Sequence, residues 1–154
     1  MTPEQETECR QLVLDYATAL NDWEVRRTIF DRLQAGREVA PARAARVAGL
    51  SIEDFVREHE QIFARYIVPR DRKHGTNPGS PTSYGKDGRF FDVGPQTITS
   101  VHQRDDHTIE VVTEWGYLLP DGQTMFVLKN KTGRWLIDSL KTGTGDGAWE
   151  AALI

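Results

Sequence analysis

The spacing of apolar residues changes once along this chain, and that change constrains the fold more than any other feature. From Pro3 to about Ile67, apolar side chains recur every three or four residues, the period of a helix with one buried face. After Pro95 they recur every second residue, in "QTITSVHQ", "HTIEVVTEWGYLL", "QTMFVLKN" and "RWLIDSLK". That is the period of a strand with one face in a core. The strand candidates are separated by "RDD", "PDG" and "KTG", polar runs with the chemistry of tight turns. Short connections require antiparallel neighbours. Helices first and a meander second predict an α+β domain, with two main helices and one short helix on a curved antiparallel sheet of about four strands.

The helical half has its own punctuation. Leu12, Tyr16, Ala19, Leu20 and Trp23 form an apolar series that Ile29, Phe30 and Leu33 continue with a drift. Thr2-Pro3-Glu4-Gln5 offers a start, with proline in the first turn and an acid at the positive end of the dipole. Gly36 offers a stop. "APARAARVAG" predicts a short helix closed by Gly49. Ser51 is the expected N-cap of the second long helix, with Asp54 three residues on. Phe55, Glu58, His59, Ile62, Phe63 and Tyr66 share its broad face, and Pro69 ends it. The predicted organisation is a single domain: a helical half over 1–69, a loop over 70–94, a meander over 95–142 and a tail over 143–154, where Trp149 docks back onto the body. A loop of about 25 residues is long for a connection, and such loops are generally functional or mobile.

Composition narrows the partners. The 154 residues carry a formal charge of −4, which disfavours duplex DNA and anionic membranes, since both reward clustered positive charge. Nor is there an apolar run of the roughly 18 residues needed to span a bilayer. "MTPEQETECRQ" lacks the apolar core of a secretory signal, so a cytoplasmic location is expected. Cys9 is the sole cysteine, so neither a disulfide within the chain nor a cysteine-based zinc site is expected. The four histidines form no HExxH motif. No metal and no cofactor are expected.

Three features together resemble a known family. An aromatic-Gly and an aromatic-Asp, Tyr84-Gly85 and Phe91-Asp92, precede the first strand. "EVVTEW" lies in a strand pair, and Trp135 to Ser139 make a Trp-x-Ile-Asp-Ser strand before a terminal tryptophan. Over roughly residues 80 to 154 the chain is similar to nuclear-transport-factor-2-like proteins, and more narrowly to the immunity proteins of that fold in bacterial polymorphic toxin systems. It departs from them in the loop, where "GKDGRFFDVGP" stands in place of a proline-rich acidic turn. The resemblance implies a cone of helices on a curved sheet. It also implies a protein without chemistry that binds a cognate toxin domain, as a monomer or a homodimer. The same cone hosts isomerases, dehydratases and carriers, so fold alone does not decide.

The candidate residues divide along these lines. Asp138 sits in an otherwise apolar strand, where alternation puts Trp135, Ile137 and Ser139 on one face and Leu136, Asp138 and Leu140 on the other. An isomerase-like enzyme would use Asp138 as a general base, with Tyr16, Tyr66 or Tyr117 as the phenol. The competing reading is a structural acid with its hydrogen bonds satisfied. Glu110 and Glu114 share one face with Val112 between them, opposite Ile109, Val111 and Thr113. They form either a solvated outer face or an acidic stripe for a basic partner. In the long loop, Tyr84, Phe90 and Phe91 bracket Lys86, Asp87, Arg89 and Asp92, a mixture of rigid aromatics and charges suited to partner binding. Its aromatics could equally finish the core.

Overall fold

The computed structural model describes residues 1–70, 93–114, 122–143 and 147–152. Helix α1 covers Pro3–Gln34, and the short α2 covers Pro41–Ala44, followed by a 3-10 turn over Ala45–Val47. Helix α3 covers Ile52–Tyr66. Five strands follow: β1 Ile98–Asp105, β2 Thr108–Glu114, β3 Gln123–Asn130, β4 Trp135–Gly143 and β5 Trp149–Ala152. They lie in chain order in one sheet, antiparallel at every pairing. The α+β arrangement expected from the change of period is the one found, with one strand more than foreseen. The extra strand is β5, where Trp149 opposes Gly143 and Ala151 opposes Lys141.

Both long helices begin where their capping residues predict. Thr2 Oγ1 accepts from Gln5 N–H at 3.1 Å, and Gln5 Oε1 accepts from Thr2 N–H at 2.9 Å. Ser51 and Asp54 exchange the same pair of bonds at 3.3 and 2.8 Å. Each box satisfies two N–H groups that a helix start leaves without partners. At the far end of α1, Gly36 takes φ +69° and lets Arg37 N–H reach back to the Arg32 carbonyl at 2.9 Å. This left-handed closure is easiest for glycine.

The two helices run antiparallel along an aromatic seam. Tyr16 meets Tyr66 edge-on at 6.1 Å between centroids, Trp23 meets Phe55 at 6.4 Å, and Phe30 meets Phe55 at 5.1 Å. Trp23 Nε1–H donates to the Phe55 carbonyl at 2.9 Å, so the indole is both packed and satisfied. Beside the seam Arg26 grips both oxygens of Glu58. The other face of α1 covers the sheet. Cys9, Val13, Tyr16, Ala17 and Leu20 join Ile109, Val111, Phe126, Leu128, Ile137 and Leu140 in one core. Tyr16 touches Phe126 edge-on at 6.4 Å. Because α1 serves two neighbours, its buried residues spread wider than the single series expected. Cys9, Val13 and Ala17 are in the core, whereas Leu33 is exposed. Among the described residues, no helix is long and apolar enough to cross a membrane.

Candidate functional site

The ladder between β3 and β4 contains one extra residue. Val127 opposes Ser139 and Leu128 opposes Ile137, so Asp138 has no opposite number on β3. This is a β-bulge, which shifts the phase of alternation along the strand. Ile137 and Leu140 are consequently both buried in the core. The expectation that Leu140 lies on the face opposite Ile137 is corrected by the bulge. Asp138 itself sits near solvent, its side chain 16% exposed.

Arg70 occupies the space beside it. Its Nη2 donates to the Asp138 carbonyl at 2.9 Å and stands 3.7 Å from Oδ2. Arg70 arrives there because the chain leaving α3 runs alongside β4. Ile67 bridges Ile137 in parallel, and Val68 N–H donates to the Ile137 carbonyl at 2.8 Å. Arg134 closes the same junction by donating to the Arg65 carbonyl at 3.1 Å. The acid thus marks the point where the end of α3 is fastened to the sheet.

The two described tyrosines of the alternative catalytic set are core residues. Tyr16 is 1% exposed, and its ring lies against Tyr66 and Phe126. Tyr66 carries the Arg65 guanidinium over its ring at 5.4 Å. Tyr117 lies outside the described residues, as do Tyr84, Asp87, Phe90, Phe91 and Asp92 of the expected partner surface.

On β2 the alternation is as expected. Ile109, Val111 and Thr113 are buried, and Glu110 and Glu114 belong to the other face. The two acids nonetheless differ. Glu110 is 13% exposed at its side chain and accepts from Arg104 Nη1 at 3.1 Å. Arg104 is an extra residue in β1, between the Gln103–Ile109 and Asp105–Thr108 pairs. Glu114, at the end of the strand, is exposed. A stripe of two equivalent acids is therefore one arginine-paired carboxylate and one exposed carboxylate.

Sequence reasoning missed Arg70, Arg104 and Glu24, and placed His59 on its helix face without the slot that holds it. Arg70 and Arg104 act on partners distant in sequence or across a bulge, where periodicity gives no signal. Glu24 is wholly buried on α1, and His59 is 2% exposed. His59 lies between the rings of Trp23 and Phe63, with centroids at 4.8 and 4.5 Å. Burial pushes its imidazole down to about 4. Cys9 is buried as well. Loss of solvent, and secondarily the Glu8 charge, push its thiol up to about 12, so it is not an activated nucleophile. Among the described residues no group of three or more His, Cys, Asp or Glu side chains could hold a metal ion.

In comparisons with known proteins, no family model, no curated protein and no solved structure matches this chain.

Proposed function

We propose that this protein acts by binding rather than by chemistry. In this reading it is an immunity protein of the nuclear-transport-factor-2-like kind, occupying a cognate toxin domain in the cytoplasm of the producing cell. The supporting observation is the packing between helices and sheet. Tyr16 meets Phe126 of the sheet and Tyr66 of α3 edge-on, and Trp23 meets Phe55 along the α1–α3 seam, where an isomerase-like site would need room for a reactant. The bond and ion pair from Arg70 give Asp138 a structural task. The partner surface assigned from sequence is Tyr84, Asp87, Phe90, Phe91 and Asp92 with Glu110 and Glu114, and of these two sheet acids Glu114 is the exposed one. Aromatic anchors would carry the affinity, and the acids would steer the encounter.

The test is to look for a toxin domain encoded by the neighbouring upstream gene and to co-express it with this protein. Restored growth and a complex that survives size-exclusion chromatography are expected. Asp138→Asn is expected to protect as well as the wild type, whereas alanine at Phe90 and Phe91 together is expected to abolish protection. Failure of the wild-type protein to rescue growth or to form a complex overturns the reading.

A further inference from the structure

The seam between α1 and α3 holds one group that its surroundings accept only in neutral form. The His59 ring fills the slot between Trp23 and Phe63, and its Nε2 has no hydrogen-bond partner among the described residues. Neutral imidazole suits such a slot. Imidazolium carries a charge and a second N–H donor, and both are costly without water or a partner. Charged groups on the two packed helices near this stretch include Asp22, Glu24, Arg26, Arg27 and Asp31 from α1, and Glu58 and Glu60 from α3. Arg26 is committed to Glu58 and Asp22, and Arg27 to Asp31. The depression of the imidazole comes from burial alone, so none of these groups offsets it.

The fastening of α3 is uneven. Beyond the seam it is joined to β4 by the Val68–Ile137 bond, the Arg134–Arg65 bond and the contacts of Arg70 with Asp138. The sheet, in contrast, is an unbroken sequence of five paired strands.

We propose that His59 makes the helical layer acid-labile: uptake of one proton at Nε2 expels the ring from its slot and frees α3, with its Ile67–Val68 strap, from a sheet that stays paired. This device is independent of which partner the protein binds. The Arg26–Glu58 pair lies on the same seam, so the test must separate its contribution from that of His59. His59→Phe does so, because it keeps a ring in the slot, removes the proton site and leaves Glu58 in place.

The experiment is amide hydrogen exchange at about pH 7 and about pH 5, corrected for the intrinsic pH dependence of exchange. In the wild type, protection of the α3 amides is expected to fall about tenfold or more, while that of β2 and β3 holds. In His59→Phe, α3 protection is expected to be equal at the two pH values. An NMR titration of the His59 imidazole in the wild type needs no variant, and its midpoint is expected near 4. Three results overturn the proposal: a His59 ring that titrates like an exposed histidine, equal loss of α3 protection in His59→Phe, or helices and sheet losing protection together.

Discussion

Asp138 and His59 are both ionisable side chains beside apolar neighbours, and their surroundings give them opposite consequences. Asp138 is partly solvated and has Arg70 beside it. Removing its charge is therefore inexpensive: Asp138→Asn is expected to cost less than about 1 kcal/mol in urea denaturation. Arg70→Ala is expected to cost more, about 1–2 kcal/mol, because it also withdraws the donor to the Asp138 carbonyl. His59 has no such relief. Its folded-state value of about 4 lies below the ordinary 6.5, so the unfolded chain takes up the proton first as the pH falls. The stability it supports is complete above 6.5, declines between 6.5 and 4, and is fully lost below. The total loss is about 3 kcal/mol, readable as the difference in stability between wild type and His59→Phe across that window. The sequence placed His59 on the right helix face, between Phe55 and Phe63. It could not indicate that Trp23, thirty-six residues earlier (59 − 23), would close the slot.

At the scale of elements, the legible parts were those whose signals are local. The two capping boxes, the stop at Gly36 and the alternation in β2 all lie within a few residues of what they determine. The bulge at Asp138 was not read: alternation puts Leu140 on the face opposite Ile137, whereas both are buried. Strict alternation cannot bury both; a phase slip can. Strand β5 escaped notice because four residues are too few for a period, and the preceding "TGTGDG" reads as a bend. Its pairing makes a demand on Gly143. A methyl group there would stand 2.8 Å from the Ala148 carbonyl oxygen and 3.1 Å from the Trp149 ring. Gly143→Ala is therefore expected to cost about 1–3 kcal/mol and to loosen β5 first. Faster exchange at Ala151 than at the β3 amides in the variant would register that order.

At the scale of the whole molecule, one core joins α1, α3 and the sheet. Phe126 is wholly buried in it and touches Tyr16 from the central strand. Phe126→Ala is expected to lower stability by about 3–5 kcal/mol, measured as a shift of the urea midpoint with little change of slope. The layer order was legible from the change of period, but the fastening of α3 to β4 was not, because Arg70 and Asp138 lie 68 residues apart. The candidate site was less legible than the fold. Its residues depend on a bulge and on arginines brought from elsewhere, which follow no repeat. The flanks of the sheet carry a last consequence. β1 has extra residues at Thr99 and Arg104. Beyond β4, the far flank is divided between the short parallel strap at Ile67 and the four residues of β5. An intruding strand would meet an interrupted row of donors and acceptors on either side. Concentrated solutions should for that reason resist fibril formation through sheet extension.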